Sequence, residues 1–239
     1  MTNINIFILC YNEHVLLPHT IDHYKRYLPN CNITIYDNES TDDSVEIAKN
    51  LGCEVIKFTS NNEQNEFTQV YIKNNCWKNI NSGWCIVIDM DEWLCITEEE
   101  LKREEGKGTT ILKVIGLNII GESKNTELTD MNLHSINKLV YSKSECKSLC
   151  FLRPQIQEMN YSSGAHTAKP LGIIKYSLTS YLNKHMCYLG LEFLINKMKC
   201  RYERTYKMRE VGMDLHYSND IMKITNEYND LLNNNFTFK

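Results

Sequence analysis

The segment 84–93 constrains the fold of this chain most, because an apolar run ends there in three acidic residues. It reads Trp-Cys-Ile-Val-Ile-Asp-Met-Asp-Glu-Trp, follows Gly83, and is too short for a membrane span. The pattern predicts a central β-strand that is buried on both faces and carries Asp89, Asp91 and Glu92 at its carboxyl end. Ligands of open α/β sheets bind at that edge.

Neighbouring carboxylates repel each other unless a positive group lies between them. Oxygen ligands suit Mg²⁺ or Mn²⁺, so Asp89 and Asp91 predict a divalent cation that carries a phosphate. The alternative is an acidic turn in solvent after a core strand, which a bare Asp-x-Asp pattern equally allows.

The first 95 residues alternate between strand and helix patterns. Strands are predicted at 4–10, 33–36, 53–58 and 84–89, and helices at 17–28, 40–51 and 63–80. Ser40 and Asp43 form a capping pattern for the second of these helices, and Gly52 ends it. This order is typical of a Rossmann-like parallel sheet.

Polar residues follow three of these strands. The clusters are Tyr11-Asn12-Glu13, Asp37-Asn38-Glu39-Ser40 and Asp89-Met90-Asp91. No Gly-rich loop follows the first strand, which argues against dinucleotide cofactors and P-loop nucleotidases. A nucleotide held by carboxylates, amides and a metal ion remains, although each cluster alone is also typical of a turn.

Composition limits the other classes of function. Of 239 residues, 42% are hydrophobic, and 26 basic and 30 acidic residues are mixed along the chain. This balance disfavours binding to nucleic acid or to an anionic membrane surface. Ten cysteines without a C-x-x-C motif, and an N-terminal apolar run too brief for a signal peptide, predict a reduced, cytoplasmic protein without an integral membrane segment.

The three clusters together resemble the nucleotide-binding half of family 2 glycosyltransferases. Their motifs are Tyr-Asn-Glu, Asp-Asn-x-Ser-Thr-Asp and Asp-x-Asp-Glu-aromatic. Further signatures are similar to a small single-domain branch of that family found in bacteria and large DNA viruses; they lie at 73–78, 156–161, 164–166, 185 and 215–217.

That resemblance implies a GT-A fold, which is an α/β fold with a Rossmann-like mixed, mainly parallel sheet flanked by helices and a C-terminal helical cover. It also implies one domain over residues 1–239. Residues 1–95 would form the nucleotide-sugar-binding half, and residues 96–239 the acceptor-side half with the C-terminal helices. For a viral protein, the cytoplasm would be that of the host.

The implied reaction is an inverting transfer of a sugar from a nucleoside diphosphate donor to a glycan or other hydroxyl acceptor. A UDP-sugar is expected, because the Asp37 carboxylate can accept a hydrogen bond from the uracil imide but not from cytosine N3. The resemblance implies donor contacts from Tyr11, Asn12, Glu13, Asp37, Asp89 and Met90.

The same resemblance implies that Mn²⁺ or Mg²⁺ bridges the diphosphate. Its expected ligands are Asp89, Asp91 and His166; a neutral imidazole suits Mn²⁺, and Gly164 lets the backbone come close. The other interpretation of His166 is a loop histidine that is hydrogen-bonded to a carbonyl group.

An inverting transfer also needs a base that accepts the proton of the acceptor hydroxyl. We expect Glu158 in this role, with Asp130 in reserve, although either residue is also typical of a solvated surface acid. For His185 and His216, a structural role beside helices is the simpler expectation, and a functional role stays open.

The C-terminal part shows two apolar helical stripes, one within 191–202 and one within 221–231. Basic residues lie opposite the first stripe, and Arg201 and Arg204 among them could clamp an anionic diphosphate. A solvated basic face is the simpler expectation.

Two other functions stay open. A haloacid-dehalogenase-like phosphatase also places Asp-x-Asp after an apolar strand, but it expects Thr or Val where Trp93 stands. The second is a pseudo-transferase that binds a nucleotide sugar or a glycan without turnover. Intact Asp37, Asp89, Asp91 and His166 favour an enzyme.

Overall fold

The computed structural model describes residues 3–237. Its strands are β1 (Ile4–Cys10), β2 (Cys31–Asp37), β3 (Glu54–Lys57), β4 (Gly83–Asp89), β5 (Glu92–Cys95), β6 (Ile111–Ile120), β7 (Lys138–Tyr141), β8 (Cys150–Arg153), β9 (Ile156–Glu158), β10 (Leu171–Gly172), β11 (Tyr176–Tyr188) and β12 (Phe236–Thr237). Its α-helices are α1 (Leu17–Tyr27), α2 (Ser44–Asn50), α3 (Glu66–Asn75), α4 (Glu98–Gly106), α5 (Leu191–Arg204), α6 (Tyr206–Glu210) and α7 (Ile221–Asn233).

Within residues 3–237, ten strands form one mixed sheet. Strands β3, β2, β1 and β4 are parallel neighbours, and β8 continues the sheet antiparallel to β4. The long strand β11 pairs in parallel with β6 and antiparallel with β5, while β9 and β10 form a separate ribbon. The predicted α/β fold with a mixed sheet is confirmed, and every strand pair within the first 95 residues is parallel.

Helices cover both faces of the parallel part. Ile6 and Ile8 of β1 pack in one apolar cluster with Ile21 of α1. Phe7, whose side chain points to the other face, packs with Trp77 after α3. A strand covered on both faces must be apolar on both, which explains the uninterrupted apolar run in β4.

The second predicted helix begins later than expected. Helix α2 starts at Ser44, and the side chain of Ser40 is not its cap. Ser40 Oγ instead accepts a hydrogen bond of 3.0 Å from Asn12 N in the loop after β1. The capping prediction was wrong because this serine links two loops of the sheet edge.

The third predicted helix is shorter than expected. Helix α3 starts at Glu66, where Asn65 Oδ1 accepts a hydrogen bond from Thr68 N, and it ends at Asn75.

The C-terminal helices cover the second half of the sheet, as the resemblance implied. Leu194 and Met198 of α5 and Ile224 and Tyr228 of α7 share an apolar cluster with Ile120 at the end of β6. In the described residues, no helix has both the length and the apolar character that a membrane crossing requires.

Candidate active site

A cavity of about 670 Å³ lies at the carboxyl ends of β1, β2 and β4. Its walls include Tyr11-Asn12-Glu13 after β1, Asn38 after β2, and Asp89-Met90-Asp91 at the end of β4. Side chains from α3, β11 and α5 close the other sides. The structure therefore brings the three polar clusters of the sequence together at one site.

The first two clusters hold each other in place. Asn12 Oδ1 accepts a hydrogen bond of 2.7 Å from Thr41 N, and Glu13 N donates one of 2.8 Å to Ser44 Oγ. Asp37 is fully buried and does not line the cavity; its carboxylate accepts hydrogen bonds of 3.3 Å from Ser40 N. Its neighbour Asn38 lines the cavity instead.

Helix α1 fixes the turn that carries the acidic residues. Thr20 Oγ1 donates a hydrogen bond of 2.8 Å to Met90 O, and Tyr24 Oη donates one of 2.9 Å to Glu92 O. Glu92 folds back, and its Oε2 accepts a hydrogen bond of 2.8 Å from Asp89 N. The turn is therefore fixed both by side chains of α1 and by a hydrogen bond between two of its own residues.

Asp89 is neutralised by lysines. Lys73 Nζ of α3 lies 2.8 Å from its carboxylate, and Lys147 Nζ lies 3.8 Å away. Burial opposes ionisation of Asp89, but these lysines outweigh it and lower the pKa of the carboxyl group. Lys147 also contacts Glu92 at 2.6 Å, where burial and Asp89 hold the pKa of Glu92 at about 7 against the attraction of that lysine.

Asp91 is neutralised by helix α5. Its Oδ2 lies 3.1 Å from Lys197 Nζ, 3.0 Å from Arg201 Nη2 and 3.6 Å from His185 Nε2. Burial would raise the pKa of Asp91, but these positive neighbours hold it well below the usual value. Lys197 Nζ also lies 2.9 Å from Glu13 Oε1.

The expectation of a solvated basic face on α5 was therefore wrong. Lys197 has only 8% of its side chain exposed and Arg204 is buried, while both line the cavity together with Arg201. The reason is that α5 packs across the strand ends with its basic side chains turned inward.

The described residues contain a possible metal site, which shares only Asp91 with the predicted set of ligands. Single ligand atoms of Asp91, His185 and Cys187 lie within 4.8 Å of one another. Neither Asp89 nor His166 belongs to this group. His166 lines the cavity, and its Nδ1 contacts Ser144 O at 2.9 Å, which matches the interpretation as a loop histidine bound to a carbonyl group.

This donor set does not fit Mg²⁺ or Mn²⁺ in its present arrangement. Burial raises the pKa of Cys187 to about 11, so the thiol keeps its proton at neutral pH, and hard cations prefer oxygen ligands. One of the two carboxylate oxygens of Asp91, Oδ2, already contacts Lys197 and Arg201. Asp91 and His185 are the two suitable ligands.

The residues expected to act as the base lie elsewhere. Glu158 forms an ion pair of 2.8 Å with Lys78, and Asp130 accepts hydrogen bonds from Ser123 Oγ and Lys124 N. Neither residue lines the cavity. The ribbon of β9 and β10, which carries Glu158, is not part of the main sheet.

Glu145 is a cavity carboxylate that the sequence analysis missed. It is buried, and its Oε2 has no hydrogen-bond partner in the described part of the chain, although Lys147 Nζ lies 3.3 Å away in ion-pair range. Burial opposes its ionisation, but His185 and Lys147 outweigh burial and lower its pKa. No local motif marks Glu145, because it lies in a 3₁₀ turn between β7 and β8.

His185 reaches the site through long-range pairing. Strand β11 runs antiparallel to β5, with His185 opposite Glu92, and Met186 N donates a hydrogen bond of 2.7 Å to Asp91 O. These partners are about 95 residues apart in sequence, so no local pattern could show the contact.

Residues 5–95 match the family described as "Glycosyl transferase family 2". The rest of the chain lies outside this match. The matched segment contains Tyr11, Asn12, Glu13, Asp37, Asp89, Met90 and Asp91, the residues on which the resemblance in the sequence rested.

Relatives of known name are similar to parts of the chain. Protein RfbJ of Shigella flexneri is 36% identical over 53 residues, which are 22% of this chain and 41% of RfbJ. The S. aureus TarS structure has a TM-score of 0.49 at 11% identity and covers 96% of this chain. The chain spans 43% of that TarS chain, so it matches less than half the length of either relative.

A third similar structure is glucosyl-3-phosphoglycerate synthase from Mycobacterium tuberculosis, solved in complex with Mn²⁺, UDP and glucosyl-3-phosphoglycerate. It has a TM-score of 0.32 at 19% identity, with 54% of this chain and 47% of that chain covered.

Proposed function

We propose that this protein transfers a sugar from a nucleoside diphosphate donor to a hydroxyl group of an acceptor, with a UDP-sugar as donor and a glycan as one class of acceptor. The observation that carries the proposal is the cavity at which three strand ends of the segment that matches family 2 meet basic side chains. Carboxylates and amides suit the hydroxyl groups of ribose and sugar, and the basic side chains suit the phosphates.

Uridine is the proposed nucleoside because of the loops after β1 and β2. Tyr11 offers an aromatic ring at the cavity wall, and the buried carboxylate of Asp37 lies directly before the cavity residue Asn38. A carboxylate accepts a hydrogen bond from the imide N–H of uracil, whereas N3 of cytosine has no proton to donate. Because Asp37 is buried outside the cavity lining, this contact requires the loop after β2 to open.

The reaction replaces one bond at the anomeric carbon of the sugar. The acceptor oxygen attacks this carbon, the bond to the diphosphate breaks, and the acceptor proton moves to a base. Negative charge develops on the departing diphosphate and needs positive partners placed in advance. Mn²⁺ or Mg²⁺ stays a prediction of the Asp-x-Asp pattern.

Glu145 is the base that we propose in place of Glu158. The carboxylates of Glu13, Asp89 and Asp91 are each held by a lysine or arginine at 3.0 Å or less. Glu145 lines the cavity with one carboxylate oxygen free of hydrogen bonds in the described residues. It is therefore better placed than the Glu158 that pairs with Lys78.

The test is a screen of UDP-, GDP- and dTDP-sugars by thermal shift, followed by measurement of nucleoside diphosphate release. A donor at 100 times its dissociation constant should stabilise the fold by about 2.7 kcal/mol. Release of UDP should increase when mixed glycans are added as acceptors. If no nucleotide shifts the melting temperature, the proposal is wrong.

The same screen separates the other two functions. A pseudo-transferase would show the thermal shift without release of UDP from any donor and acceptor pair. A phosphatase would hydrolyse p-nitrophenyl phosphate and would not distinguish UDP-sugars from other phosphate compounds.

A further inference from the structure

Helix α5 presents three basic residues on one face. Lys197, Arg201 and Arg204 are spaced by four and three residues, so their side chains lie above one another along the helix. All three line the cavity and contact different loops of the sheet edge. Lys197 contacts the loop after β1, Arg201 the turn after β4, and Arg204 the loop after β2.

Arg204 is the least neutralised of the three. Its Nη2 donates hydrogen bonds to Asn38 Oδ1 at 2.6 Å and to Glu63 O at 3.1 Å, both of which are uncharged acceptors. Its guanidinium carbon lies 3.2 Å from the centre of the Tyr11 ring. Its Nε is buried without a hydrogen-bond partner in the part of the chain that the structure describes. An arginine that is 91% buried without a carboxylate partner suits an anionic ligand.

Arg201 also has N–H donors available for a ligand. A guanidinium group carries five N–H donors, and one of them reaches Asp91 at 3.0 Å. Planar guanidinium groups bind phosphate oxygens through two parallel hydrogen bonds, which a lysine cannot do. Lys197 Nζ lies within ion-pair distance of both Asp91 and Glu13.

We infer that Lys197, Arg201 and Arg204 form the diphosphate subsite and that they bind a nucleoside diphosphate without a divalent cation. This inference rests on the proposed nucleotide-sugar transfer and adds how the phosphates are held. Arg201 and Lys197 both contact Oδ2 of Asp91, so helix α5 places two positive charges directly next to the Asp-x-Asp turn. In the absence of donor, Glu13 and Asp91 hold the side chains of Lys197 and Arg201 in position. When the donor binds, its phosphate oxygens contact these two basic side chains in addition to the carboxylates or in their place.

The experiment is titration calorimetry with UDP, in excess EDTA and in Mn²⁺, on the whole chain. The variants are Arg201→Gln and Arg204→Gln, and the matched control is Lys199→Gln, which removes a positive charge from the same helix outside the cavity. The wild type should bind UDP in EDTA. Each arginine variant should weaken this binding by about tenfold or more, the loss expected for one charge-assisted hydrogen bond, and the control should bind like the wild type.

Melting curves show which variants are folded. If Arg201→Gln does not fold, the comparison of Arg204→Gln with the control decides the test. Removing the Arg204 guanidinium group leaves no carboxylate without a partner, because its acceptors are uncharged. Binding of UDP to the wild type only in Mn²⁺ overturns the inference but leaves the proposed function standing. Equal UDP affinity in EDTA for Arg204→Gln and Lys199→Gln also overturns it. No UDP binding under either condition overturns the proposed function itself.

Discussion

Arg201 Nη2 lies 3.0 Å from Asp91 Oδ2, and this contact joins the C-terminal helix α5 to the turn at the end of β4. Lys197 shares the same carboxylate oxygen at 3.1 Å. One buried acid therefore serves two cations of the cavity. Removal of the Asp91 carboxylate should therefore have one effect if Asp91 is a metal ligand and a different effect if it only holds α5 in place.

We expect Asp91→Asn to keep or raise the affinity for UDP in EDTA, because Arg201 and Lys197 lose their competing partner. The free energy of unfolding should fall by roughly 3 kcal/mol, since Arg201 loses its carboxylate partner and Lys197 keeps only Glu13. Calorimetry at low temperature and urea denaturation measure the two effects. Asp22→Asn, whose side chain is 53% exposed, is the control. Loss of UDP binding in a folded Asp91→Asn protein would contradict the role of anchor.

The hydroxyl group of Thr20 is expected to stabilise the acidic turn. It donates to Met90 O and accepts from Trp93 Nε1, both at 2.8 Å, and the residue is fully buried. Thr20→Val keeps the shape but leaves both partners unsatisfied, so it should lower the free energy of unfolding by about 2–5 kcal/mol. Urea denaturation measures this loss. Thr225→Val, at a half-buried position of α7 where the hydroxyl group donates only to Ile221 O, should change the free energy of unfolding by less, about 0.5 kcal/mol.

Stability should fall in mild acid because of His23. Burial lowers the pKa of His23 from 6.5 to about 4, and its Nε2 contacts Leu94 O at 3.1 Å. The unfolded chain takes up a proton near pH 6.5, whereas the folded chain does so only near pH 4. The stabilising contribution is therefore complete above pH 6.5 and is lost as the pH falls from 6.5 to 4.

Between pH 6.5 and pH 4, the contribution of His23 to the free energy of unfolding should fall by roughly 3 kcal/mol. Urea denaturation at pH 7.5 and pH 4.5 measures it. His23→Gln should be less stable than the wild type at pH 7.5 and should show a weaker dependence on pH. The same pH profile in His23→Gln and the wild type would exclude His23 as the cause.

Two glutamates allow a matched test of the base. Glu145→Gln cannot accept a proton, so turnover should fall by about 10²–10⁴-fold while UDP binding remains. Glu158→Gln removes an ion pair at a position that is 37% exposed and outside the cavity, and it should keep turnover. Initial rates of UDP release at saturating donor compare the variants. The opposite ranking would restore Glu158 as the base.

Much of the cavity wall that is formed by the loops after β1, β2 and β4 could be predicted from the sequence. The patterns that predict it lie within short segments of the first 95 residues. The alternation of strands and helices up to residue 95 determines a parallel sheet, and parallel strands place their carboxyl ends at one edge. The polar clusters after β1, β2 and β4 could therefore be placed together from their positions alone. Helix starts were less certain, since Ser40 serves the sheet edge and not the helix that follows it.

The opposite wall of the cavity depended on tertiary structure. His185 reaches Asp91 because β11 pairs with β5, and Glu145 and Lys147 arrive on the connection between β7 and β8. The basic stripe of α5 was visible in the sequence, but whether it faced solvent or the cavity depended on the packing of its apolar face against β6, β11 and α7. Hydrophobic periodicity shows which residues share a face of a helix. The site at which the apolar face is buried in the folded protein decides whether the opposite, basic face contacts solvent or the cavity.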